Sequence, residues 1–269
     1  MQIKSKSIKY DTNGNSISAY LAQPDDSEKH GGIILIHAIF GLDDHIKDVA
    51  NRLASEGYIV LAPDLFSSKK LSPVLTKENI REAMKFMMSI PSEKQRDSEF
   101  RAKELEKLGD NSRKAVVEVN DVLFANRPID LFVQYLSSGI DYIASLKNLN
   151  GKVGSMGFCF GGGLSISLAC RGRTDATVIF YGENPKPIEQ IKGVKGAVMG
   201  LYGGEDVRIN IHLHELVKEL AENKIPFTVK TYPGARHAFF DDTSAQTYNK
   251  DAAEDSWQMV RDFFRKHIK

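Results

Sequence analysis

The densest chemistry in the chain lies in Gly157-Phe158-Cys159-Phe160-Gly161-Gly162. A thiol with glycines two residues before and two after it, between a strand-like run and a helix-like one, has the layout of a nucleophile on a sharp strand-to-helix turn. The backbone there is strained and crowded, so it needs neighbours without side chains. The following helix aims its N–H groups and positive end at the sulfur, which favours the thiolate, the attacking form. The bland alternative is a small buried hydrophobe in a glycine-rich turn. A phosphate cradle is excluded, because this stretch lacks G-x-G-x-x-G and the chain lacks G-x-x-x-x-G-K-[ST].

A thiol nucleophile needs a base, and the base needs an acid to orient it. His237 lies in the turn-rich Pro233-Gly234-Ala235-Arg236-His237-Ala238-Phe239, between a strand-like run and the last helical pattern. An acid is expected after the intervening strand, and Leu201-Tyr202-Gly203-Gly204-Glu205-Asp206 provides two. Asp206 is preferred, although sequence hardly separates it from Glu205. Nucleophile, acid, histidine is the chain order of α/β hydrolases. The oxyanion donors are then expected at the backbone N–H groups of Phe160, next after the nucleophile, and Ile39, in the loop after an earlier buried strand. His37 in that loop reads as a packing and hydrogen-bonding residue. His212 and His214, two apart on one helical pattern, point away from each other and make no metal site.

These positions need a scaffold. Ser16 to Gln23 alternates like a half-buried strand, whereas Gly31–Ala38, Tyr58–Pro63, Val153–Phe158, Ala176–Tyr181, Gly196–Tyr202 and Phe227–Tyr232 are apolar runs that read as buried strands. Helical stripes fall between or after them at Asp43–Glu56, Gly162–Cys170, Ile209–Glu222 and Gln246–His267. Strand–helix alternation predicts an α/β fold with a mostly parallel central sheet flanked by helices. Ten of the fifteen residues from Glu93 to Lys107 are charged, Arg96 among them. This run reads either as a solvated helix between sheet units or as a mobile cap over the site. We expect a single domain over residues 1–269, with a charged helical insertion or cap near 91–130.

With 36 Lys and Arg against 35 Asp and Glu, the net charge is +1, too little basic surplus for a nucleic-acid partner. An apolar fraction of 42% argues against disorder. No apolar run approaches the roughly 20 residues a bilayer span requires. The N-terminal stretch lacks a signal peptide's apolar segment. With only Cys159 and Cys170, both expected free, a cytoplasmic location is expected.

The motifs His37-Ala38-Ile39-Phe40-Gly41-Leu42, Gly157 to Gly162, Gly203 to Asp206 and Gly234 to Phe239 together resemble the dienelactone hydrolase family of α/β hydrolases. The similarity runs over nearly the whole chain. It implies Cys159 as nucleophile, His237 as base, Asp206 as acid, no metal or organic cofactor, and a small ester or lactone as substrate. Two positions depart from the family pattern. Ala38 stands where a glutamate commonly contacts the resting thiol, and Asp241, four residues after His237, stands where members acting on dienelactone carry a carboxylate-binding arginine. The expected activity is therefore cysteine-dependent hydrolysis of an ester or lactone through an acyl-enzyme. A general carboxylesterase or thioesterase is the first alternative. A non-catalytic thiol-redox or binding protein is the second.

Overall fold

The computed structural model describes residues 1–95 and 97–269, so Arg96 of the charged run lies outside the described residues. In chain order the regular elements are β1 (Ile3–Thr12), β2 (Asn15–Pro24), β3 (His30–Ile36), α1 (Asp44–Ser55), β4 (Tyr58–Pro63), α2 (Lys77–Ser89), α3 (Ser98–Glu106), α4 (Asp110–Asn120), α5 (Ile129–Ala144), β5 (Leu149–Phe158), α6 (Phe160–Ala169), β6 (Ala176–Phe180), β7 (Ala197–Gly203), α7 (Val207–Asn210), α8 (Leu213–Glu222), β8 (Phe227–Tyr232) and α9 (Lys250–Ile268). They divide into two compact units, Met1–Leu65 with Ile129–Lys269, and Phe66–Pro128.

The first unit is built on one eight-stranded sheet of order β1-β2-β4-β3-β5-β6-β7-β8. The β1–β2 and β2–β4 pairs are antiparallel; all other neighbours are parallel. The β1–β2 hairpin closes on Asn13-Gly14, both at positive φ (44° and 80°), the turn whose twist matches that of its strands. Every residue of β3 is buried. Its period of two sends Ile33 and Leu35 into the cluster shared with Val49 and Leu53 of α1 and Val260 and Phe264 of α9. Ile34 faces the other way: a Cβ on Gly139 of α5 would lie 3.6 Å from its side chain. Helices therefore cover both faces, as the unbroken apolar runs require.

Helix boundaries follow caps that periodicity does not show. Asp43 accepts the Ile46 N–H at 3.0 Å and starts α1. Asn249 accepts the Ala252 N–H at 3.1 Å, so α9 begins at Lys250 rather than at Gln246. The single helix expected over Ile209–Glu222 is two, α7 and α8, because the chain turns at Ile211-His212 while the apolar stripe runs on. The second unit contains α2, α3, α4 and a π-helical turn, Asp121–Ala125. It begins at Phe66, upstream of the charged run, and none of the residues of α3 is buried. Among the described residues, no helix is long and apolar enough to cross a membrane.

Candidate active site

Cys159 stands between the last residue of β5 and the first of α6, at φ +54° and ψ −114°, a conformation that costs a non-glycine residue energy. The surroundings hold it there. Its N–H donates to the Phe180 carbonyl at 3.0 Å, and its own carbonyl accepts the Gly163 N–H at 3.1 Å. The flanking glycines are obligatory by contact. A Cβ on Gly157 would lie 2.1 Å from the Gly161 carbonyl oxygen, and one on Gly161 would lie 2.3 Å from the oxygen of Ile36 and 2.5 Å from that of His37. The turn is thus pressed against the end of β3, and the thiol is left half-buried at the N-terminus of α6.

His237 and Asp206 come from the loops after β8 and β7. Backbone bonds stitch these loops together, Glu205 N–H to Ala235 carbonyl at 2.9 Å and Gly204 N–H to Tyr232 carbonyl at 2.8 Å. The Asp206 carboxylate is buried and hydrogen-bonds His237 Nδ1, whereas Glu205 is exposed. The Cys159 side chain acts on the same imidazole. Burial disfavours a charged ring, but the hydrogen bond to Asp206 and the influence of Cys159, together with their charges, outweigh it and raise the pKa of His237 to about 9. The shift favours the protonated ring, and its Nδ1 is held by the carboxylate.

Ile39 and Phe160 are both buried, on the loop after β3 and at the first position of α6. His37 anchors this corner. Burial, opposed by a backbone bond and nearby acids, keeps its pKa below the ordinary value. The neutral ring donates from Nδ1 to the Ala38 carbonyl at 2.6 Å and accepts the Leu65 N–H on Nε2 at 3.1 Å. Its role is local packing and hydrogen bonding. Of the two acids in this loop, Asp43 caps α1, and Asp44 is exposed and paired with Lys47.

Tyr181 is the site residue that sequence reading passed over, as the apolar end of a strand. It sits at φ +40° immediately after β6, fully buried, with its ring centroid 5.0 Å from that of His237. Burial first, and then the charges of Cys159 and Asp241, hold its phenol neutral, well above its ordinary pKa, while the Phe240 backbone works the other way. Asp241 thus belongs to the site's surroundings. Arg208, a nearby cation, is paired with Glu183 at 2.7 Å. His212 and His214 do not converge: His212 contacts Glu215, and His214 contacts the Ile211 carbonyl. A cavity of about 510 Å³ lies elsewhere, inside the Phe66–Pro128 unit between α2, α3 and α4, and holds none of these groups.

A mostly parallel eight-stranded sheet, a residue at positive φ between β5 and α6, and an acid and a histidine on the next loops define an α/β-hydrolase fold. The family model described as "Dienelactone hydrolase family" matches residues 17–268, and the chain belongs to that family. It is 40% identical over 263 residues to the "Putative carboxymethylenebutenolidase" of Saccharolobus solfataricus, covering 97% of this chain and 98% of that one. A protein of the same name from Synechocystis sp. is 28% identical over 282 residues, covering 100% and 99%. The crystal structure of a "Putative Dienelactone Hydrolase" from Klebsiella pneumoniae superposes with a TM-score of 0.75 at 23% identity, covering 99% of this chain and 100% of that chain, and supports the fold.

Proposed function

We propose that the protein is a cysteine-dependent hydrolase of a small ester or lactone, working through an acyl-enzyme on Cys159. The observation that carries this reading is the Asp206–His237 hydrogen bond, with the imidazole under the electrostatic influence of a half-buried thiol at a helix N-terminus. The Cys159 sulfur attacks the substrate carbonyl, and the negative charge that moves to oxygen is received by the N–H groups of Phe160 and Ile39. As the intermediate collapses, the imidazolium of His237 gives its proton to the leaving alkoxide. In the thioester that remains, the sulfur no longer acts on the ring to raise His237. The ring, now neutral and held in one tautomer by Asp206, takes a proton from water as the water attacks, and the acid departs from sulfur.

Asp241 bears on substrate choice. A carboxylate in the site's surroundings, where the family resemblance leads one to expect an arginine, disfavours anionic substrates and favours neutral short esters. The sheet unit holds all of this machinery, and we read Phe66–Pro128 as an insertion into a single hydrolase domain. The test is p-nitrophenyl acetate turnover by the native protein, Cys159→Ala and Cys170→Ala. The reading expects turnover that only Cys159→Ala abolishes. Absence of turnover on any ester, thioester or lactone, with Cys159 oxidising reversibly instead, would favour a thiol sensor.

A further inference from the structure

A second cluster of ligating side chains lies on the loop that follows His237. His45, in the first turn of α1, is nine-tenths buried, its ring set edge-on to Phe158 and Phe240 at centroid distances of 5.9 and 6.1 Å. Its Nε2 is buried without a hydrogen-bond partner. Its Nδ1 faces two consecutive carboxylates, 3.7 Å from Asp241 Oδ1 and 3.3 Å from Asp242 Oδ1. One ligand atom from each of the three residues falls within 4.8 Å of the others. Both separations exceed the roughly 2.9–3.0 Å of a good N–H···O bond. They bracket the edge of a tetrahedron of donors around a zinc-sized ion, about 3.4 Å for bonds of about 2.1 Å.

We propose that His45, Asp241 and Asp242 form a binding site for one divalent d-block cation of the zinc class. Electrostatics and chemistry agree on the class. Two adjacent carboxylates balance the charge of a divalent ion, and an imidazole nitrogen selects Zn²⁺, Co²⁺ or Ni²⁺ over Mg²⁺ and Ca²⁺. Thr243 supports Asp241 in place, donating to Oδ1 from its backbone N–H at 3.0 Å and from its hydroxyl at 2.6 Å. Three protein ligands leave one position for water. The ion would clamp the loop carrying His237 to the first turn of α1, bracing the site without entering the reaction.

The test uses the full-length Cys159→Ser protein, so that the nucleophile's thiol does not compete for metal. After treatment with chelator, it is titrated with Zn²⁺ by calorimetry and with Co²⁺ by visible absorption, and its melting temperature is followed with and without Zn²⁺. We expect one equivalent bound, ligand-field bands from Co²⁺, and a higher melting temperature with metal. Asp242→Asn, at an exposed carboxylate, should weaken Zn²⁺ binding at least tenfold and abolish the thermal shift while leaving the metal-free melting temperature unchanged. His45→Gln should do the same where it folds. Absence of saturable binding, or binding that Asp242→Asn leaves intact, would overturn the site and leave His45 as the partner of an ordinary ion pair.

Discussion

The two cysteines sit at opposite ends of α6, and the contrast between those ends shows what turns a thiol into a candidate nucleophile. Cys159 caps the N-terminus at positive φ, half-buried and electrostatically linked to His237. Cys170 caps the C-terminus in ordinary helical geometry, buried in the core, and burial pushes its thiol up to about 12 against the pull of Arg171. One end presents backbone N–H groups and an imidazolium; the other presents carbonyl oxygens and apolar side chains. Residue type is shared, so the difference comes from the helix's polarity and from the loops gathered at the carboxyl ends of β5, β7 and β8.

Deleting side chains at the two ends should give the largest separation. Cys159→Ala and His237→Ala are each expected to lower ester hydrolysis roughly 10⁴-fold or more, and the double variant should be scarcely worse, because the pair acts as a unit. Cys170→Ala should keep activity within about twofold, with a loss of stability on the order of 1 kcal/mol for the removed buried sulfur. Esterase assays and denaturant titrations of the four variants check this, and multiplicative losses in the double variant would count against a cooperating pair.

Removing the acid should produce the next effect. Asp206→Asn is expected to lower kcat/KM by roughly 10²–10⁴-fold, as wrong-tautomer variants of hydrolytic triads do. It should also move the titration of His237 from about 9 toward its ordinary value. In the native protein this histidine has a raised folded-state pKa. The stability it contributes is therefore fully present below its unfolded value near 6.5 and is lost as pH rises through about 9. Melting temperature followed across this window should fall in the native protein and stay flatter in His237→Gln. An NMR titration of the ring midway near 6.5 would contradict the proposed pairing.

The packing of the turn itself can be tested by a single methyl group. Gly161→Ala puts a Cβ 2.3 Å from the Ile36 carbonyl oxygen, so backbone must move. We expect a loss of roughly 1–3 kcal/mol, measured by urea unfolding, and lost activity as Phe160 shifts from Ile39. Gly109, whose added Cβ meets nothing within 4 Å, is the control. A smaller effect should follow from charge. In chelator-treated protein, a neutral ester should exceed its carboxylate analogue in kcat/KM by a few-fold, and Asp241→Asn should shrink that ratio.

Much of this was legible in the sequence, and for physical reasons. β4 and β8 have the bounds expected of them, but only β4 is buried throughout: β8 is the edge strand, and of its residues only Tyr232 is buried, against the buried strand expected. The motif glycines around Cys159 foretold a crowded turn. What periodicity could not show was where a side chain stops a helix. The stripe over Ile209–Glu222 does not betray the turn at Ile211-His212, and the Asn249 cap outweighs a pattern that starts at Gln246. Asp206 and Glu205 are adjacent in sequence and separate only when one carboxylate is buried against His237. Tyr181 escaped notice because its approach to His237 arises from a positive φ at a strand end, which no spacing rule marks.

The central claim is that the acyl group travels on Cys159. Native protein mixed with p-nitrophenyl acetate, quenched with acid during the first turnover and mapped by peptide mass spectrometry answers it directly. The account predicts one acetyl group, carried on the peptide holding Cys159 and released by hydroxylamine as a thioester. Acetylation of a serine elsewhere, or continued turnover with no adduct at any time and undiminished activity in Cys159→Ala, would contradict it.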